Sequence, residues 1–220
     1  MKRKKQLNLE MIIASFLVSS IIFISGIFIG YSIGKEKISF IENSLSKISS
    51  NIQNFQLQFL FLDVLGENSS CPFLMETLYS INKDSYELGK KLESLGKETE
   101  LKDYNEFLKQ KREYSRMLVS YWLLSNKLKK ICYFDADTIV YFYSRNCERC
   151  DDQAFVLTYL KQKHEEKLLI FTLDGDLDEP SIKAIKTIYN ITSYPYLIIN
   201  GNGYIGFISK DEIENLISLK

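Results

Sequence analysis

The sequence is poor in the residues on which many kinds of site depend. It holds one histidine, one tryptophan and three prolines among 220 residues. Its 28 basic and 28 acidic residues cancel, so no excess of positive charge favours nucleic acid as a partner. Its four cysteines include a single C-x-x-C pair, whereas a zinc site usually needs four ligands. We therefore expect no metal and no cofactor, and we expect the chemistry to come from the cysteines.

The C-x-x-C pair, Cys147 and Cys150, lies where a predicted strand gives way to a predicted helix. Residues 138–143 are rich in aromatic and β-branched side chains, which is typical of a buried strand. At a helix N-terminus, unpaired N–H groups and the helix dipole favour the thiolate of Cys147. A thiolate attacks disulfides, and a second cysteine three residues on can resolve the mixed disulfide. The pattern predicts a redox site.

A long apolar segment near the N-terminus predicts a membrane anchor. Residues 11–34 carry no charge, and at about 1.5 Å per residue they form a helix of roughly 36 Å, enough to cross a hydrocarbon core of about 30 Å. A signal peptide has a shorter apolar region, typically about 7–15 residues, so an uncleaved anchor is favoured. Basic residues cluster in 1–10, which predicts a cytoplasmic N-terminus and an extracytoplasmic remainder in a single-pass cell-membrane protein.

Two patterns suggest contact with a second copy of the chain. A G-x-x-x-G-x-x-x-G row in the membrane segment lets two such helices touch; it consists of Gly26, Gly30 and Gly34. Beyond the membrane, a coiled-coil-like apolar stripe follows spacings of three and four, through Ile38, Ile41, Leu45, Ile48, Ile52, Phe55, Phe59 and Leu62. The flanking positions are mostly uncharged, so an intramolecular helical bundle explains the stripe as well as a homodimer does.

Residues 35–131 are predicted to form this stem and a helical hairpin. The second helix is expected to open at Cys71 and Pro72, because proline is favoured in a first turn. The third is expected over 100–130. An antiparallel hairpin places Cys71 and Cys132 at the same end, so a structural disulfide between them is plausible in an oxidising space. Two buried free thiols are the alternative.

The last part of the chain, 132–220, changes to alternating strands and helices. The order is β-α-β-α-β-β-α, with strands expected over 138–143, 167–173, 196–199 and 204–208, and helices over 153–160, 181–189 and 211–219. The pair Asn202-Gly203 supports a hairpin turn between the last two strands.

Motifs spaced through this α/β domain resemble the thioredoxin superfamily. They are the segments 141–150, 173–180, 191–197 and 200–203. The resemblance implies a thioredoxin-like fold with a cis proline, Pro195, against the cysteines. It also implies that Cys147 attacks, that Cys150 resolves the mixed disulfide, and that Tyr194 and Pro195 line the substrate groove.

The motifs depart from that family in ways that leave the direction of electron flow open. Asn146 stands where the family often has tryptophan, and the buried acid expected near Tyr141 is absent. Glu148 should oppose the Cys147 thiolate and Arg149 should favour it, so both are expected to modulate the site.

The resemblance implies a membrane-tethered thiol–disulfide oxidoreductase. Its substrates would be protein thiols and disulfides outside the membrane, and a membrane or soluble redox partner would reset the pair. The alternative is a non-enzymatic, membrane-anchored scaffold whose thioredoxin-like domain binds a partner, with Cys147–Cys150 as a structural bridge.

Overall fold

The computed structural model describes residues 9–65, 67–98, 104–132 and 134–217, with side chains described for 11–32, 39–57, 71–94, 104–132 and 134–217. It is mostly helical, with one small mixed sheet. The helices are α1 (Leu9–Leu65), α2 (Glu67–Glu98), α3 (Tyr104–Ile131), α4 (Cys150–His164), α5 (Pro180–Ile188) and α6 (Lys210–Leu216). The strands are β1 (Asp137–Tyr143), β2 (Leu168–Asp174), β3 (Tyr196–Ile199) and β4 (Asn202–Ile205).

The chain divides into two compact units, Met1–Asn43 and Ser44–Lys220. The first unit carries Met11–Ser32, a 22-residue segment long and apolar enough to cross a membrane. A helix of this length and composition at the N-terminus fits a membrane anchor and also a signal sequence. The helix surface is open at Gly26 and Gly30, where an added Cβ atom would meet nothing within 4 Å beyond the backbone of its own helix.

The start predicted for the second helix is wrong. The helix α2 begins at Glu67 rather than at Cys71, so Pro72 lies inside it. Proline removes one N–H donor, and this close to the helix start it interrupts only one backbone hydrogen bond. The helix therefore tolerates it. The predicted start of the third helix, at Glu100, lies outside the described residues.

Two helical segments of the second unit bury the apolar stripes that their periodicity predicts, wherever the side chains are described; Ile38, Phe59 and Leu62 of the predicted stripe lie outside the described side chains. The buried side chains are Leu45, Ile48, Ile52 and Phe55 on α1, and Leu74, Leu78, Ile81, Leu88 and Leu92 on α2. The helix α3 links this helical layer to the sheet through Tyr121. The Tyr121 hydroxyl donates to the Leu78 carbonyl oxygen at 3.2 Å, and its ring packs edge-on against Phe171 of β2 with centroids 5.1 Å apart.

The sheet has the strand order β2-β1-β3-β4. Strand β1 pairs in parallel with β2 and antiparallel with β3, and β3 forms an antiparallel hairpin with β4. Alternate side chains of β1 point to opposite faces. On one face Ile139 and Tyr141 share a core with Leu157 of α4 and Ile213 of α6. The helix α3 packs against the other face.

The predicted hairpin turn is displaced by two residues. The turn consists of Asn200 and Gly201, with φ values of 48° and 88°, rather than Asn202-Gly203. Both pairs are Asn-Gly, the preferred sequence for a two-residue turn with positive φ at both positions. Tertiary hydrogen bonds select the first pair: the Asn200 side chain donates to Asp137 Oδ1 at 2.6 Å and accepts from the Thr138 N–H at 3.1 Å. As a result β4 begins at Asn202.

A disulfide joins Cys71 to Cys132 across 61 residues of sequence, with their Cα atoms 5.5 Å apart. It connects the beginning of α2 to the residue that follows α3, so the helical hairpin is closed at that end.

Replacing both of these cysteines with serine should lower the free energy of unfolding by roughly 2–4 kcal/mol, because the bridge removes the entropy of a long loop from the unfolded chain. Urea denaturation of the full chain in detergent micelles measures the loss. The matched control, Cys147→Ser with Cys150→Ser, opens a bridge between residues only three apart and should lose less. Equal losses in the two double variants would contradict the loop argument.

Candidate redox site

The Cys147–Cys150 pair forms a disulfide at the beginning of α4, with Cα atoms 5.4 Å apart. The helix starts at Cys150, and Arg149, the N-cap residue, gives it no side-chain capping hydrogen bond. Cys150 is 5% exposed, whereas Cys147 is half-buried. The sulfur of Cys147 is therefore the more accessible of the two, and the dipole at the N-terminus of α4 favours negative charge near it.

The side chain of Tyr141 lies beneath the cysteine pair, near the position where the family resemblance leads one to expect an acid. Its hydroxyl donates to the Cys150 carbonyl oxygen at 2.6 Å. Burial raises the pKa of Tyr141, and the neighbouring Asp151 raises it further. The phenol therefore stays protonated near neutral pH. It holds the first residue of α4 in place and is not a base for the thiol of Cys150.

Asp176 organises the loop between β1 and Cys147. Its Oδ2 atom accepts hydrogen bonds from the Ser144 hydroxyl and from the Arg145 N–H, both at 2.9 Å. The Ser144 Oγ atom in turn accepts from the Asn146 N–H at 3.3 Å. Asp176 was not predicted from the sequence. Its position just after β2 was the available signal, because the carboxyl ends of the parallel neighbours β1 and β2 lie at the same edge of the sheet.

The two residues between the cysteines point to solvent. The Arg149 Nε atom lies 3.1 Å from Asp152 Oδ2, and the guanidinium carbon lies 4.0 Å from the ring centroid of Phe207. Both charged side chains of the ion pair are more than half exposed, so the pair itself contributes little to stability. Asp152 partly offsets the positive charge that Arg149 brings to Cys147, and the exposed Glu148 adds negative charge.

The peptide bond between Tyr194 and Pro195 is cis. Because Phe142 pairs with Tyr196 in the antiparallel ladder, Pro195 comes at the edge of the sheet where the chain leaves β1 toward Cys147. The Pro195 carbonyl oxygen accepts from the Gly206 N–H at 2.8 Å. Tyr194 and Cys147 also pack against the same core cluster.

The six sequence-predicted cysteine and groove residues thus separate into two groups. Cys147, Cys150, Tyr194 and Pro195 come together at the carboxyl end of β1. Cys71 and Cys132 are bridged to each other near the opposite end of β1. Cys132 follows the end of α3, and the Lys129 side chain at that end of α3 donates to the carbonyl oxygen of Ala136, just before β1 begins. Among the described residues, no group of three His, Cys, Asp or Glu side chains is placed to hold a metal ion.

Gly175 makes room for Tyr194. A Cβ atom at Gly175 would overlap the Tyr194 ring, whose hydroxyl donates to the Gly175 carbonyl oxygen at 3.2 Å. Gly175→Ala should therefore lower the free energy of unfolding by roughly 1–3 kcal/mol. The same change in a Tyr194→Ala background should lose well under half of that, since the overlapping ring is gone. Urea denaturation of the four proteins of this double-mutant cycle measures the coupling, and additive losses would contradict the contact.

Comparison with known proteins adds little to this geometry. No family model matches the chain, and no curated protein matches it. Among solved structures, one titled "Structure of a malarial protein" is similar over 37% of this chain and 92% of its own, with 17% sequence identity and a TM-score of 0.33. A likeness of this size carries no argument about fold or function.

Proposed function

We propose that the chain is a membrane-anchored thiol–disulfide oxidoreductase whose redox centre is Cys147–Cys150. The strongest support is the asymmetry of the pair: an accessible Cys147 is bridged to a buried Cys150 at the first residue of α4. An accessible sulfur can meet a protein substrate, while the buried one is shielded from it. That asymmetry suits stepwise disulfide exchange.

We also propose that residues 132–220 form a thioredoxin-like domain. The succession β1-α4-β2-α5-β3-β4-α6, with the strand order β2-β1-β3-β4, supports this assignment. So does the position of Pro195 at the same edge of the sheet as the cysteines. In such a domain Tyr194 and Pro195 would lie along the bound substrate.

In the reducing direction, the Cys147 thiolate attacks one sulfur of a substrate disulfide and displaces the other sulfur as a thiolate, which takes up a proton. Cys150 then loses its proton and attacks the Cys147 sulfur. The second substrate thiol is released, the Cys147–Cys150 disulfide forms, and two electrons have passed to the substrate. The oxidising direction is the reverse. Tyr141 stays protonated, so the proton of Cys150 passes to water or to another group.

A location outside the cytoplasm agrees with the second disulfide. Bridges such as Cys71–Cys132 persist in oxidising compartments and are rare where glutathione keeps thiols reduced. The apolar segment Met11–Ser32 would serve as the anchor. The basic residues that precede it favour a cytoplasmic N-terminus.

The full chain in detergent micelles should reduce insulin with dithiothreitol as electron donor, or oxidise a reduced, unfolded ribonuclease. Cys147→Ser should abolish turnover in the active direction. Cys150→Ser should accumulate a mixed disulfide on Cys147, because the resolving thiol is gone.

A variant lacking the other bridge, Cys71→Ser with Cys132→Ser, is the matched control and should keep its turnover wherever it remains folded. Turnover by neither assay, or turnover that survives Cys147→Ser, would defeat the enzyme proposal. A folded chain inactive in both directions would instead favour the scaffold function.

The proposed topology has its own test in intact cells that produce the chain. After mild reduction, a membrane-impermeant maleimide should label Cys147, because the domain lies outside. A cysteine introduced near the N-terminus by Lys4→Cys, in a chain whose other cysteines are serines, should be labelled only after lysis. The opposite pattern would reverse the orientation.

A further inference from the structure

The N-terminal end of α3 contacts the loop that leads to Cys147. The Arg145 Nη2 atom donates to the Tyr104 hydroxyl at 2.8 Å, and the guanidinium carbon lies 5.9 Å from the Tyr104 ring centroid. Arg145 comes two residues before Cys147. A side chain from the helical hairpin thus holds the guanidinium of a residue in the loop that leads to Cys147.

A second contact from α3 reaches the same loop through two aspartates. Lys111 forms an ion pair with Asp174, the last residue of β2, and the Asp174 side chain is only 5% exposed. The Oδ1 atom of Asp174 accepts from the Asp176 N–H at 2.9 Å. Asp176 in turn holds the Ser144 hydroxyl and the Arg145 N–H. The ion pair is therefore one hydrogen bond away from the carboxylate that shapes the loop.

Lys111 also lies beside the end of β1. Its ammonium is 5.5 Å from the ring centroid of Tyr143, and Tyr143 packs with Cys147 against the same core cluster. Burial lowers the pKa of Lys111, but Tyr143 and Asp174 raise it by more, and the net shift is upward. Burial raises the pKa of Tyr143, although Lys111 acts against the shift. At neutral pH the ammonium is charged and the phenol is neutral.

The charge balance at this edge depends on Lys111. Asp174 and Asp176 place two carboxylates beside the loop, and Asp174 is buried, where an unpaired charge is poorly solvated. Lys111 and Arg145 bring positive charge to them, and Lys186 of α5 lies nearby, where it donates to the Gly175 carbonyl oxygen at 2.9 Å. Negative charge left uncompensated near a cysteine disfavours its thiolate and, at a pH where the reduced cysteine is ionised, thereby favours the disulfide.

We propose that Lys111 and Tyr104 are positioning residues of the redox site, contributed by the helical hairpin. Tyr104 holds the side chain of Arg145, two residues before Cys147 in the loop, and Lys111 neutralises Asp174, so that the reduced, thiolate form of Cys147 is favoured. This inference rests on the redox role proposed for Cys147–Cys150. It makes α3 a part of the site rather than a spacer that precedes it.

The test is the equilibrium of the Cys147–Cys150 pair with glutathione at a pH above the pKa of the reduced Cys147 thiol, measured by alkylation and mass spectrometry on the full chain in detergent micelles. Lys111→Met should shift the equilibrium toward the disulfide by about tenfold, the equivalent of one pKa unit in the thiolate. Lys111→Arg keeps the charge and should stay within about twofold of the unaltered protein. Tyr104→Phe should shift the equilibrium about threefold in the same direction, through one lost hydrogen bond.

Two further variants separate positioning from simple stabilisation. Lys109→Met removes an exposed α3 lysine, paired with Glu106 of the same helix, and should leave the equilibrium unchanged. The double variant Lys111→Met with Asp174→Asn removes both charges of the ion pair and should return the equilibrium to within about threefold of the unaltered protein, because the uncompensated carboxylate is gone. It also provides a folded protein if Lys111→Met alone is too unstable.

The inference is wrong if Lys111→Met lowers the free energy of unfolding without moving the glutathione equilibrium, or if the double variant stays as far displaced as the single one. Glutathione needs no protein substrate, so this result is independent of the insulin and ribonuclease assays. A displaced equilibrium in a chain that turns over neither protein would refute the proposed enzyme activity and leave the role of α3 standing.

Discussion

The candidate redox site depends on the placement of β1 between β2 and β3. Its central residues are buried on both faces, and Phe142, one residue before the end of the strand, pairs with Leu173 of β2 on one side and with Tyr196 of β3 on the other. The parallel partner delivers Asp174 and Asp176 to the edge where β1 ends, and the antiparallel partner delivers Pro195 to the same edge. Because one neighbour is parallel and the other antiparallel, the end of β2 and the beginning of β3 lie at the edge where β1 ends. Cys147 and Cys150 follow β1 at this edge of the sheet.

Around that edge, the electrostatics form a balance of small opposing effects rather than one dominant charge. Arg149 is offset by Asp152, and the charge of Arg145 is offset by Asp174 and Asp176. The helix dipole at the start of α4 favours negative charge, while Glu148 opposes it. Because these groups are largely exposed, water and salt weaken each of them. Water and salt screen the buried pair of Lys111 and Asp174 least, so its electrostatic effect is the strongest of these, although Lys111 is far from the cysteines in sequence.

Local patterns in the sequence predicted the elements of this fold well. The strands β1, β2 and β3 appear as apolar runs within about a residue of their observed bounds, since a buried strand needs continuous apolar side chains. The stripes on α1 and α2 are buried as their periodicity required. The predicted start of α2 was wrong because proline is favoured in the first turn of a helix but does not have to mark its beginning. The turn before β4 was wrong because two Asn-Gly pairs compete, and Asp137, far away in sequence, decides between them.

The site was only partly predictable for the same reason. The cysteines and Pro195 are marked by motifs, whereas Asp176, Tyr104 and Lys111 are ordinary surface-type residues whose roles arise from contacts between distant segments. Lys111 and Asp174 are 63 residues apart, and no short pattern connects them. Tyr141 illustrates another limit. Its aromatic side chain reads as an ordinary buried strand residue, and only the structure shows that its hydroxyl donates to the backbone of Cys150.

The bridge between Cys71 and Cys132 also decides how the chain would carry a mechanical load. Tension that enters from the N-terminal side reaches Cys71 and passes across the sulfur–sulfur bond to Cys132, just ahead of β1. The remainder of α2 and all of α3 lie on the closed loop between those residues, outside the path of the force. The helical hairpin can therefore keep its contacts with the loop between β1 and Cys147 while the chain is pulled, provided that the Cys71–Cys132 disulfide stays oxidised.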